Sequence, residues 1–386
     1  MVGLYVALAT VITAQQTIGN ARSNNFAIFR ASFRHLVAGK DLYVLYPNEH
    51  WDLYKYSPTF ALLFAPFSLL PYAAGLLCWN VLNAVVLSIS VLLLLPQRAA
   101  VAALCIVLLE TLGALQNTQS NALVAGLMVM SVVALERSRM TASALSVILG
   151  GVVKVYPLCA GMFGLLSQAR WRYVLACAVI GLAFAIMPVI VTSPQALMSQ
   201  YDAWFTLQRN DDVRIGAAWI GGLIEIALGH PIHHRNVQLI GIAWVSGSAF
   251  LVREYWTDQT VRRLLLASTL IFAVVFNHMA ESPTFVIAFT GIGIWWASMP
   301  RERWRDALLL LIVLVGSVGG SDAAPKAFRQ HIYLPYQLKA VVTILGWIAI
   351  QVDLFRIVRG VRTTAHANAD VASPKTMPVA PAQLAR

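Results

Sequence analysis

Residues able to do chemistry gather in a few polar patches of an otherwise apolar chain. The stretch from Asn24 to Leu70 mixes Arg30, Arg34, Lys40, Asp41, Glu49, His50, Asp52 and Lys55 with aromatic rings. Further along come the amide run Gln116-Asn117-Thr118-Gln119-Ser120-Asn121, the turn Lys154-Val155-Tyr156-Pro157, and Asn277-His278-Met279-Ala280-Glu281-Ser282. A carboxylate within hydrogen-bond reach of a hydroxyl can take its proton, which makes Asp52, Glu281 and Asp41 the candidate bases. Each has a plainer reading. Asp52, in WDLYKYSP, suits an acid that starts a helix and pairs with Lys55. Asp41 after Gly39-Lys40 suits the shaping of a turn, and His278 suits satisfying Glu281 within one polar turn. Lys154 lies at a break between two apolar pieces, where a cation, freed backbone groups and a helix start after Pro157 meet an anion. Snorkelling to the interface is its alternative.

Lys55, Arg30 and Arg34 are further anion ligands, the arginines being equally suited to lipid headgroups. Asn117, Gln119, Asn121, Tyr156 and His278 offer donors and acceptors to a bound polar group. Tyr43, Tyr46, Trp51, Tyr54 and Tyr56 offer rings for stacking, or an interfacial aromatic belt. Glu110, inside an apolar run, either orients the amide cluster or is a buried acid satisfied by neighbouring helices.

The elements that must position these groups follow from composition. Of 386 residues, 59% are hydrophobic and 12% charged, which excludes an ordinary soluble domain. Apolar runs of roughly 18–22 residues, long enough to cross a hydrocarbon core, recur along the chain. The fold expected is an all-α polytopic membrane protein. Full spans fit at 1–18, 72–95, 99–115, 120–135, 171–190, 236–252, 261–276, 283–298, 306–320 and 334–355. Residues 1–18 lack a charged leader region and read as a span, not a removed signal. Residues 58–70, bracketed by Pro66 and Pro71, are too short to cross and read as re-entrant. The region 141–167, interrupted at Gly150-Gly151 and at Lys154–Pro157, reads as two short paired helices. Residues 19–57 form an outer loop in which Phe26, Phe29, Phe33 and Leu36 share one helical face, apart from Arg30 and Arg34. That pattern predicts an amphipathic helix at the bilayer interface. One domain over 1–362 is followed by a tail, 363–386, whose Ala, Pro and polar content predicts disorder.

The net charge of +11 belongs to topology and anionic lipid, since no basic run with interleaved aromatics suggests nucleic acid. With both termini cytoplasmic, Arg98, Arg137, Arg139, Arg170, Arg172, Arg253, Arg262, Arg263, Arg301, Arg303, Arg305, Arg356, Arg359 and Arg362 all fall on the cytoplasmic side of a plasma membrane. The same register sends the polar patches, and the 200–236 loop, to the outer face. A site is expected there. The four cysteines all lie in apolar segments and suggest neither disulfides nor a metal site. Asp211-Asp212 stands alone, short of the oxygen-rich shell a hard cation needs.

GKDLY followed by LYKYSPTFALLFAPFSLLP resembles the first-loop signature of glycosyltransferase family 87, integral membrane enzymes of the GT-C type. The resemblance continues through LQNTQSNALVAGL, GGVVKVYPL with the basic QARWR after it, and FNHMAESPTFVIA, covering roughly residues 20 to 345. It implies transfer of a hexose, often mannose, from a polyprenyl phosphate to a lipid-linked or glycan acceptor at the outer leaflet, with inversion and without a cofactor. Members often carry an aspartate early in the first outer loop, where Asn24-Asn25 stands here. The chemistry implied passes through an oxocarbenium-like state. It needs one carboxylate for the acceptor proton. The phosphate leaving group needs positive charge but no general acid, and a metal is dispensable if Lys or Arg supplies that charge. Two other readings stay open. A lipid or glycan transporter or flippase would place ionisable residues near the midplane within inverted repeats, and an inactive relative would bind a lipid-linked glycan without turnover.

Overall fold

The computed structural model describes residues 1–18, 23–210 and 217–372, with 361–372 given as backbone alone. Every regular element among them is a helix. Among the described residues four helices are long and apolar enough to cross a membrane: Tyr72–Leu94, Gln97–Gln116, Arg170–Ile190 and Leu338–Gly360. Shorter apolar helices, including Val2–Ile18, Asn121–Glu136 and Met140–Val153, pack among them.

In chain order the elements are α1 (Val2–Ile18), α2 (Asn24–Val37), α3 (Pro58–Leu63), α4 (Ala65–Leu69), α5 (Tyr72–Leu94), α6 (Gln97–Gln116), α7 (Asn121–Glu136) and α8 (Met140–Val153). A 3₁₀ turn at Tyr156–Gly161 leads into α9 (Met162–Leu165), then α10 (Arg170–Ile186), α11 (Pro194–Arg209), α12 (Ile220–Leu228), α13 (His234–Leu251) and α14 (Gln259–Val275). After the 3₁₀ turn Ser282–Thr284 come α15 (Phe285–Ser298), α16 (Arg303–Leu311) with a wide-turn continuation Ile312–Val318, α17 (Lys326–Phe328) and α18 (Leu338–Ala372). Pro71 and Pro96 stand immediately before α5 and α6, where a missing N–H costs nothing and a continued helix is blocked. The central layer is α5, α6, α7, α14 and α15. Gly126 lets α7 touch α5, since a Cβ there would lie 2.8 Å from the backbone of Val86 and Leu87.

Hydrogen bonds sort the helix ends into two sets. At one end Arg262 Nε meets Glu136 at 3.2 Å, and Arg263 donates to the Leu94 carbonyl at 2.9 Å. Arg305 is buried at this end, forked onto Asp353 at 2.7 and 3.0 Å, with Trp295 Nε1 on the same carboxylate. At the other end Gln16 Nε2 donates to the Gln116 carbonyl at 2.6 Å and Ser23 N–H to the Tyr72 hydroxyl at 3.1 Å. The polar patches share this second end.

Five local features differ in detail from the sequence reading. The apolar face of α2 packs on protein, with Phe29 edge-on to Tyr56, Phe60 and Trp79. Residues 58–70 form two helices, the second starting with Pro66 in its first turn. The segment 200–236 is not a plain loop, because α11 and α12 occupy much of it. Ser193 caps α11, its hydroxyl accepting from Ala196 N–H at 3.2 Å. The break in 141–167 falls at Lys154-Val155 alone, Gly150-Gly151 being helical. The last helix runs on to Ala372, past 363, while residues 373–386 and Asp211-Asp212 lie outside the described residues.

Candidate functional site

The turn between α6 and α7 is the site's pivot. Thr118 adopts φ +54°, a left-handed conformation strained for a β-branched residue. It is held there because it is buried, its carbonyl takes Trp79 Nε1 at 3.2 Å, and its hydroxyl takes Gln16 Nε2 at 3.2 Å. The reversed turn presents Asn117 to one side and Gln119 and Asn121 to the other.

From Asn121 a directed chain of hydrogen bonds runs across the site. Lys154 Nζ donates to Asn121 Oδ1 at 2.7 Å, Asn121 Nδ2 to Gln119 Oε1 at 2.5 Å, and Gln119 Nε2 to Glu281 Oε2 at 2.7 Å. Lysine can only donate, so each amide's orientation follows from the last, and the chain must end on an acceptor. Glu281 Oε2 is that acceptor. Lys154 ends α8 in extended conformation (φ −145°, ψ 143°), with its ammonium 5.8 and 5.9 Å from the Tyr56 and Tyr156 rings.

One cavity of about 1410 Å³ is lined by these groups except the buried Asn121, which stands behind Lys154 and Gln119. Its polar part is lined by Gln16, Asn24, Asn25, Trp51, Asp52, Lys55, Tyr56, Asn117, Gln119, Lys154, Tyr156, Gln238, His278 and Glu281. It continues as an apolar groove between α8, α10, α13 and α14, past Val147, Leu158, Met162, Val174, Ile242, Val245 and Phe272. Asp52 does not start a helix. Its Oδ1 accepts from Leu53 N–H at 2.8 Å, and the cap of α3 is Ser57, which also donates to the Val152 carbonyl at 2.6 Å. His50 Nδ1 lies 2.8 Å from the Asp52 carbonyl. Burial lowers the His50 pKa below its ordinary value, outweighing the raising effect of that carbonyl. Helix α11 clamps the loop: Trp204 and Gln208 both donate to the Lys55 carbonyl at 3.3 Å, and Gln200 joins Lys40 and Leu42.

Other candidates stand apart from the cavity lining. Asp41 is exposed and closes its own turn, accepting from Tyr43 N–H at 2.8 Å. Arg30 donates to the carbonyls of Ser68 and Leu70, capping α4 from α2; desolvation lowers its pKa. Arg34 is exposed on the far side of α2. Tyr54 is buried with its hydroxyl on the Ser57 carbonyl at 2.7 Å, so desolvation drives its pKa up. His278 does line the cavity: its Nδ1 pairs with Gln238 at 2.9 Å and its ring stacks on His234 at 4.2 Å, while Glu281 accepts from Gln119.

Sequence reasoning passed over Gln16, Gln238 and Lys339. Lys339 Nζ reaches Glu110 Oε2 at 2.7 Å and Ser282 Oγ at 2.9 Å, so Glu110 is the satisfied buried acid, pinning the turn beside Glu281. A lysine inside an apolar segment opposite a lone intramembrane glutamate was the available signal. Among the described residues no three His, Cys, Asp or Glu side chains gather to hold a metal.

The model of glycosyltransferase family 87 matches residues 54–319, beginning just after Asp52. No curated protein matches the chain.

Proposed function

The chain belongs to glycosyltransferase family 87, and from that premise we propose that it moves a hexose, mannose by family habit, from a polyprenyl phosphate to a lipid-linked or glycan acceptor at the outer face of the membrane. The observation that carries this is the union of a charged chamber and an apolar groove in one cavity. A polyprenyl phosphate needs both: hydrocarbon walls for its chain, and fixed positive charge where the chain meets its phosphate. Lys154, backed by Lys55, supplies that charge in this reading, and stabilises the phosphate as the bond to the sugar's anomeric carbon lengthens. Asp52 takes the acceptor hydroxyl's proton. It follows Trp51, whose N–H bonds Asn24 Oδ1 at 3.1 Å, which puts it next to the amide-lined part of the cavity and away from the groove. Trp51, Tyr56 and Tyr156 bring rings to the polar part of the cavity, where a sugar would sit. Glu281, held by Gln119, is the competing base. Outer-face action rests on the arginine-rich helix ends lying opposite the cavity.

The test is transfer from radiolabelled polyprenyl-phosphate mannose to membrane glycolipids by purified protein. Asp52→Asn keeps size but removes the basic oxygen, and turnover falls by roughly 10²–10⁴ with donor binding intact. If Glu281→Gln abolishes transfer while Asp52→Asn does not, the base is Glu281. A wild type inert with every polyprenyl donor would refute the reading.

A further inference from the structure

The wall of the cavity formed by the end of α1, the start of α2 and the turn at Thr118 differs from the lysine end in a way that hydrogen-bond accounting exposes. Three amides there each donate one N–H of their NH₂ group to a backbone carbonyl. Gln16 Nε2 donates to Gln116 O at 2.6 Å, Asn25 Nδ2 to Asn117 O at 2.7 Å, and Asn117 Nδ2 to Gly113 O at 2.9 Å. Backbone carbonyls only accept, so these amides cannot be flipped, and their own oxygens must point elsewhere. Gln16 Oε1 is buried and has no hydrogen-bond partner, and the oxygens of Asn25 and Asn117 make no hydrogen bond among the described residues. Asn24 is the reverse: Trp51 N–H occupies its oxygen and leaves its NH₂. All four residues line the cavity. The wall thus offers three acceptor oxygens interleaved with donors, namely the Asn24 NH₂ and the second N–H of Asn25 and of Asn117, and α1, the first turn of α2 and residues 116–121 contain no charged side chain.

Ligand chemistry follows from that pattern. A phosphate or carboxylate accepts only, and would meet unpaired oxygens at close range. An ammonium donates only, and would face the N–H groups of Asn24, Asn25 and Asn117. A set of hydroxyls, each donating and accepting, fits, and would satisfy the buried Gln16 oxygen. The strained Thr118 holds this wall in place. Resting on the transferase reading above, we propose that the Gln16–Asn24–Asn25–Asn117 wall is the acceptor subsite, and that it takes an uncharged polyhydroxyl headgroup, a neutral glycan or polyol.

The experiment reads binding without turnover. Full-length protein in nanodiscs is titrated with radiolabelled hexyl α-mannoside and hexyl β-glucoside, with hexyl phosphate and hexylammonium as competitors. Farnesyl phosphate reports separately on the lysine end. Wild type binds a glycoside, and neither charged competitor displaces it. Asn117→Ala costs only a helix-end bond to the fold, and weakens glycoside binding about fivefold to tenfold, the worth of one hydrogen bond. Asn25→Leu does the same or more, and neither shifts farnesyl phosphate binding beyond twofold, which also certifies folding. Lys154→Ala gives the converse. Displacement by hexyl phosphate or hexylammonium, unchanged glycoside affinity in Asn117→Ala and Asn25→Leu, or no glycoside binding by wild type each overturns the assignment. Glycoside binding by a protein that transfers no sugar refutes the transferase reading and leaves this subsite standing.

Discussion

Replacing Lys154 separates the two jobs its ammonium holds. One is to anchor Asn121, whose side chain is fully buried and whose Oδ1 receives Lys154 at 2.7 Å but Tyr156 only at 3.4 Å. The other is to meet the donor phosphate. Lys154→Met removes both. Leaving Asn121 Oδ1 with the long Tyr156 contact costs about 1–3 kcal/mol of stability, the penalty for a buried acceptor without a good donor. Losing a charged hydrogen bond to phosphate, about 1.5–3 kcal/mol, weakens donor affinity roughly 10- to 150-fold. Lys154→Gln is the discriminating partner, because its neutral NH₂ can still serve Asn121 while lacking the charge. It should recover most of the lost melting temperature and little of the lost donor affinity. Lys154→Arg recovers affinity only in part, since a planar fork on a longer stem fits a lysine's socket poorly. Thermal unfolding in detergent gives the first quantity, and equilibrium binding of farnesyl phosphate gives the second. Farnesyl phosphate affinity unchanged in Lys154→Met would remove Lys154 from the donor site. Full donor affinity in Lys154→Gln would show that charge is not what the phosphate reads.

Lys339→Met strands Glu110, 4% exposed, and should destabilise by about 3–5 kcal/mol, with Glu110→Gln/Lys339→Met regaining part of it. Equal melting temperatures for wild type and Lys339→Met would contradict the pairing. The His50 pKa is lowered by burial, so the unfolded loop takes up a proton more readily than the folded one. Loop stability is whole above an ordinary pKa of about 6.5 and declines as pH falls through it toward the lower folded value. Hydrogen exchange over residues 41–57 should speed up at pH 5 relative to pH 7.5 in wild type, with a smaller pH effect in His50→Gln; equal pH effects in both would dismiss the histidine. Cysteines placed at Asn48 label from outside intact cells and those at Ser138 and Arg303 do not, whereas outside labelling at Ser138 would invert the topology.

Long apolar runs were legible because a hydrocarbon core demands length and tolerates little else, so α5, α6 and the apolar part of α18 follow from residue type alone. The break at Lys154 was legible for the same reason: a cation followed by Pro157 cannot continue a buried helix. What periodicity cannot distinguish is the partner of an apolar stripe. Phe26 and Phe29 look the same whether they meet lipid or, as here, Phe60, Phe64 and Trp79. The hydrophobic effect is non-directional, so the stripe carries no record of what it faces. A similar ambiguity hides roles among polar residues. Arg30 and Asp41 have the types a site needs, yet backbone groups a few angstroms away already claim them. Gln16 has a type that invites no notice at the end of an apolar helix, and becomes informative only once Gln116 takes its NH₂ and its oxygen is left over. Donor and acceptor arithmetic depends on which groups are spent on the fold. It can be done only after the chain has been folded, and it is there that a cavity with a lysine end and an amide-lined wall comes into view.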